Sequence, residues 1–142
     1  MVKKADLVDD QFSNFSCSQT VLSLFAPELG LDEKTALKIS SGFGGGMACA
    51  ETCGAVTGAY MVIGMKHGHF TSHPNEKANT KLLIQKFNDK FVQKNGSLIC
   101  KKLTGFDIST TDGLEGARKN NVFKTKCPAF IKTACDILEK DF

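Results

Sequence analysis

Six cysteines lie at positions 17, 49, 53, 100, 127 and 135, and Cys53 has the most telling setting. It opens Cys53-Gly54-Ala55-Val56-Thr57-Gly58, just after the glycine loop Gly42-Phe43-Gly44-Gly45-Gly46. That order predicts a loop delivering a thiol to the start of a buried helix. The positive end of a helix favours thiolate and lowers a cysteine pKa from its free value of about 8.5. A thiolate binds metal, attacks disulfides and is readily oxidised. Cys53 is therefore expected to be the most acidic and reactive thiol, with the Glu51 carboxylate opposing its ionisation. A buried structural cysteine behind a glycine connection is the plainer account, and the other cysteines weigh against it.

Cys100 and Cys127 are also expected at helix starts. Cys17 is expected inside a first helix running from about Asp6 to Ala26, facing a neighbour. Helix N-termini aimed at one point favour negative charge there. Four thiolates around a metal or an iron–sulfur cluster carry such charge, whereas four buried thiols acting as small hydrophobes would not need it. Cys49, four residues before Cys53, could replace a ligand or form a resolving pair. Cys135 is read as core packing.

The elements that must position these residues are helical. Val8, Phe12, Phe15, Leu22 and Phe25 recur at helical steps, and Pro27 and Gly30 close that segment. Asp32 caps a second helix. The third starts near Cys53, where Gly54/Gly58 and Ala55/Ala59 make a flat strip for close backbone packing. Pro74 begins a fourth helix with Leu83, Phe87 and Phe91 inward, ended by Asn95-Gly96. Ser97 caps a short helix closed by Gly105. Residues 106–121 read as irregular. Cys127-Pro128 starts a last helix with Ile131, Ala134 and Leu138 on the same face as Cys127. No alternating strand pattern is visible, so the expected fold is all-α: one domain over residues 1–142, with about five helices.

Composition narrows the function. The chain has 142 residues, 42% apolar, enough for a real core without disulfide staples. Tryptophan is absent and tyrosine occurs once, so eleven phenylalanines carry the aromatic packing. A net charge of +3 and no basic arm argue against nucleic acid. The N-terminus has no apolar signal region, and no apolar run reaches the ~18 residues of a bilayer span, so no membrane role is expected. A cytoplasmic setting follows as the expectation, and there cysteines point to metal or redox chemistry.

Several motifs fail. The glycine loop lacks a following Gly-Lys-Ser/Thr and is not a phosphate loop, and Met47 breaks the dinucleotide fingerprint. No Cys-x-x-Cys exists, which argues against thioredoxin chemistry and most zinc ribbons. His67, His69 and His73 are read as a solvated loop. Lys124, Lys126 and Lys132 could steer an acidic redox partner protein, although a solvated surface is the simpler reading.

Four cysteines in this order, with Cys53 inside Cys-Gly-Ala-x-x-Gly, resemble the redox-active protein family named for its C, GCAxxG, C, C pattern. The matching positions are Cys17 in Asn14-Phe15-Ser16-Cys17-Ser18-Gln19, then Cys53, Cys100 and Cys127. The Gly42–Met47 stretch and Glu51-Thr52 also resemble family sequence. The resemblance runs from about Phe12 to Leu138 and implies a small helical redox protein. A similar module joined to a multihaem cytochrome implies that the cysteines can hold an iron–sulfur cluster. The chain has no Cys-x-x-Cys-His, so covalent haem is not expected.

The first expectation is thus that Cys17, Cys53, Cys100 and Cys127 bind an iron–sulfur cluster, of two-iron type, for electron transfer or sensing. The alternatives are a thiol–disulfide redox protein with Cys53 attacking, and an interaction module with a structural zinc.

Overall fold

A computed structural model describes residues 2–142. Its helices are α1 (Val8–Phe12), α2 (Cys17–Phe25), α3 (Glu33–Ser40), α4 (Gly54–His67), α5 (Pro74–Asn95), α6 (Cys100–Thr104), α7 (Thr111–Lys119), α8 (Val122–Thr125) and α9 (Cys127–Asp141). The all-α expectation holds: the described residues contain no strand, only an isolated antiparallel bridge between Thr52 and Ile99. Among the described residues the helix count is nine rather than about five, because two segments divide differently from the periodicity.

The first division falls between α1 and α2. Apolar spacing runs on through it, but Ser13 Oγ and Asn14 Nδ2 both donate to the Asp10 carbonyl. Such side chains offer the backbone an alternative to continuing the helix. Ser16 then takes an extended conformation and caps α2 in a reciprocal box with Gln19. Cys17 is therefore the first residue of a helix and not an interior one.

The second division lies in residues 106–121, expected to be irregular. Thr110 Oγ1 accepts the Gly113 N–H at 3.0 Å and starts α7, while Asn121, at φ 55°, starts α8. The glycines here serve close approach: a Cβ on Gly116 would lie 2.7 Å from the Phe106 ring.

Helix α4 is the centre of the molecule. Gly54 to Ala59, Val62 and Ile63 are all buried, so the N-terminal half of this helix is covered on every side, while Gly64, Met65 and His67 at its far end are exposed. Its most extensive partner is α2, and α9 packs on both. Helix α5 lies across α4 and α9 through Phe87 and Phe91, both fully buried and stacked at 5.9 Å. Helix α3 is held against α2 by Ser18 Oγ donating to the Ser40 carbonyl at 2.8 Å and Gln19 Nε2 to the Leu37 carbonyl at 3.0 Å. These bonds satisfy carbonyls at the end of α3 and fix the start of α2, where Cys17 sits.

No described helix is long and apolar enough to cross a membrane.

Candidate functional site

Each of the four patterned cysteines stands at the beginning of a helix. Cys17 opens α2, Cys53 is the N-cap of α4, Cys100 opens α6 and Cys127 opens α9. All four line one cavity of about 220 Å³. Its remaining wall is almost wholly apolar, from Phe12, Leu103, Ile108, Phe123, Phe130 and Ile131.

The approach of Cys17 to α4 explains the motif glycines. A Cβ on Gly54 would overlap Cys17 Sγ and lie 3.0 Å from the Ser18 nitrogen and 3.2 Å from Gly44 Cα. One turn on, a Cβ on Gly58 would lie 2.9 Å from the Ser18 carbonyl oxygen and 3.0 Å from Val21 Cβ. The two glycines thus form the strip that lets the start of α2 rest directly on the start of α4. The helix-propensity cost at the interior position Gly58, about 1 kcal/mol, is offset by that contact.

Backbone bonds tie Cys53 to Cys100. The Cys53 N–H donates to the Leu98 carbonyl at 2.8 Å, and the Cys100 N–H to the Glu51 carbonyl at 2.6 Å, flanking the Thr52–Ile99 bridge. The helix starting at Cys100 is thereby docked on the chain entering Cys53.

The glycine loop closes one side of the cavity through Gly45. Gly45, Gly46, Met47, Ala48 and Ala50 all have left-handed φ, between 56° and 62°. A left-handed conformation costs an L-residue with a side chain roughly 1–2 kcal/mol. The loop tolerates this in Met47, Ala48 and Ala50. At Gly46 no side chain would fit, since a Cβ would overlap the Glu51 nitrogen and lie 3.0 Å from Cys100 Cβ. Cys49 sits on this loop, exposed, with Sγ donating to the Gly46 carbonyl at 3.2 Å.

Electrostatics divides the thiols. Cys17 is lowered to about 6, first by the hydrogen bond from the Cys53 thiol and further by the N–H groups of Gly45, Ser18 and Cys17 itself. Cys53 is pushed well above the usual thiol range, because its proton is held against the Cys17 sulfur and because it is buried. Burial, then the Cys17 charge, raises Cys100 to about 11 and Cys127 to about 12. The expectation that Cys53 would be the acidic thiol is reversed. Three N–H groups converge on Cys17, whereas Cys53 receives only that of Ala55. As N-cap, Cys53 lies one position before its helix; Cys17 lies in the first turn of its own. A sequence signal for this existed in Ser16-x-x-Gln19, the capping box that places Cys17 in that turn.

Glu51 is exposed and faces Lys101 at 3.9 Å rather than the thiols. Cys135 is fully buried in the core, and burial raises its thiol to about 12. His67, His69 and His73 are exposed. Among the described residues, no three His, Cys, Asp or Glu side chains converge closely enough to hold a single metal ion.

Residues 15–140 match the sequence profile of a family described as "Putative redox-active protein (C_GCAxxG_C_C)". The chain belongs to the C_GCAxxG_C_C family. No curated protein and no solved structure matches it. In this C_GCAxxG_C_C protein the second element reads Cys53-Gly54-Ala55-Val56-Thr57-Gly58. The geometry gives each part of that element a role: Cys53 faces Cys17, and Gly54 and Gly58 admit α2.

Proposed function

We propose that this C_GCAxxG_C_C protein uses Cys17, Cys53, Cys100 and Cys127 to hold one iron–sulfur centre, of two-iron type, for electron transfer or sensing. The observation that carries the reading is the cavity of about 220 Å³ lined by these four cysteines and otherwise nearly free of polar surface. The donor set fits, because cysteine thiolate is the normal ligand of such clusters. A single zinc ion fits less well. Its sulfurs must sit about 2.3 Å from one point, closer than these side chains converge. When bound, the cluster would supply reversible one-electron chemistry at a potential set by charge, hydrogen bonds and solvent access.

The residues around it have separable tasks. The N–H groups of Gly45 and Ser18 point at the Cys17 sulfur and stabilise negative charge there. The starts of α2, α4 and α9 add positive helix ends beside Cys17, Cys53 and Cys127. Phe12, Ile108, Phe123 and Phe130 keep water from the sulfurs. A cytoplasmic setting suits thiols that must stay reduced until they are used.

Anaerobic purification tests the proposal through iron and sulfide analysis and the visible spectrum. A brown protein with near-equal iron and sulfide is expected, and Cys53→Ser should lose the iron while Cys135→Ala keeps it. A colourless protein from iron-replete anaerobic cells, or equal iron in both variants, overturns it.

A second reading is favoured by one observation, the placement of Cys17 against the start of α4 beside Cys53 in the wall of one cavity. In it the pair is a metal-free dithiol. The Cys17 thiolate attacks one sulfur of a disulfide substrate and expels the other as a thiolate. Cys53 then loses its proton and attacks the Cys17 sulfur of the mixed disulfide. The Cys17–Cys53 disulfide forms, and the substrate leaves as its second thiol. Two electrons pass from the protein to the substrate. Mass analysis after mild oxidation would show this disulfide if the reading holds.

A further inference from the structure

The cavity does not end at the cysteines. Phe12 and Phe123 line it, and the same two residues line a groove of about 530 Å³ on the adjoining surface. The groove is completed by Phe15, Pro128, Ser13, Asp9 and Lys124. Two aromatic rings therefore stand between the thiol chamber and an apolar surface channel. Phe123 and Phe15 lie outside the main hydrophobic core cluster and are only half-buried. Both recesses exceed the roughly 150 Å³ of a dry cavity able to bind benzene, and the groove falls in the range of about 300–1,000 Å³ usual for small-molecule sites.

The charges at the rim are uneven. Asp9 is neutralised by Lys132, whose Nζ lies 3.0 Å from its carboxylate. Lys124 is exposed and, among the described residues, has no carboxylate within bridging distance. The groove thus presents an apolar aromatic floor with one unpaired positive charge.

We propose that this groove binds a flat aromatic small molecule carrying one anionic group, with its ring against Phe15 and Phe123 and its charge on Lys124. Phe12 and Phe123 then set how closely the ring approaches the cysteine chamber. The inference concerns a site beside the chamber and does not depend on what the cysteines hold. Ring burial supplies affinity and the ammonium supplies orientation, as in other sites where a few polar groups sit in an apolar wall.

Isothermal titration of the full chain, as isolated without oxygen, tests this with two probes, naphthalene sulfonate and the neutral naphthol. The sulfonate is expected to bind at one saturable site. Phe123→Ala should weaken both probes by about tenfold, the scale of losing one buried ring contact. Phe15→Ala, at the outer edge of the groove, should weaken both by a smaller factor and guards against a folding defect in the first variant. Lys124→Gln should weaken the sulfonate several-fold and leave naphthol unchanged. Lys81→Gln, on a separate groove beside His69, should change neither. Sulfonate binding that ignores Phe123 and Phe15, equal loss of both probes in Lys124→Gln, or no saturable binding would overturn the proposal. Each readout is independent of iron content, so its failure is distinct from failure of the cluster reading.

Discussion

Cys17 Sγ rests so closely on the start of α4 that a Cβ on Gly54 would overlap it, and this brings the thiols of Cys17 and Cys53, thirty-six positions apart, into the wall of one cavity. The anion resides on Cys17, because the N–H groups of Gly45 and Ser18 and its own converge there.

That relationship orders the thiols by acidity. In the reduced, metal-free protein, Cys17 should alkylate with a midpoint near its pKa of about 6, while Cys100 and Cys127 react only towards their values of about 11 and 12. Cys53→Ala should raise the Cys17 midpoint, and Cys53→Ser, which keeps a donor, should raise it less. Site-resolved mass spectrometry across pH checks this. A Cys53 that labels at lower pH than Cys17 would contradict the assignment.

The same shifts set the pH dependence of stability. Cys17 has a folded pKa below its unfolded one, so it adds stability above the unfolded thiol value of about 8.5 and loses it as pH falls through about 6. Cys53, Cys100, Cys127 and Cys135 are shifted the other way. Their contribution is full below the unfolded value and is lost as pH rises towards their folded ones. Thiol-linked stability of the reduced protein should therefore rise between pH 6 and about 8 and fall beyond about 9. Urea midpoints at fixed salt would show it, and a midpoint flat from pH 8 to 10 would count against the raised thiols.

The glycines of α4 should separate by position. Gly54→Ala drives a methyl into Cys17 Sγ and the Ser18 backbone, and should cost about 1–3 kcal/mol, as overpacking typically does. Gly64→Ala, on the same helix, meets nothing within 4 Å and should gain up to about 1 kcal/mol from helix propensity. Thermal melts of the two variants make a matched comparison.

The left-handed loop should respond in the same two directions. Ala48 is exposed at φ 61°, so Ala48→Gly should stabilise by up to about 1 kcal/mol after glycine's greater chain entropy is counted. Gly46→Ala should instead destabilise and loosen the Cys100 side of the cavity, because its Cβ has no room beside Glu51 and Cys100. Faster alkylation of Cys100 in Gly46→Ala would register the loosening.

The sequence by itself determined the helical class, the starts of α3, α4, α5 and α9, and the core placement of Cys135. These follow from local signals: Asp32, Pro74 and Pro128 at helix entries, and apolar stripes such as Phe87/Phe91 and Ile131/Ala134/Leu138. The same reasoning hid the break before Cys17, because apolar periodicity continues through residues 13–16 while side-chain bonds to Asp10 end the helix. It also hid α7, whose glycines mimic a loop but serve contacts with Phe106 and the Asp107 backbone. Only the tertiary structure decided which cysteine is acidic. A thiol's pKa depends on the N–H groups and sulfurs that converge on it, and those reaching Cys17 come partly from Gly45 and Cys53, far along the chain.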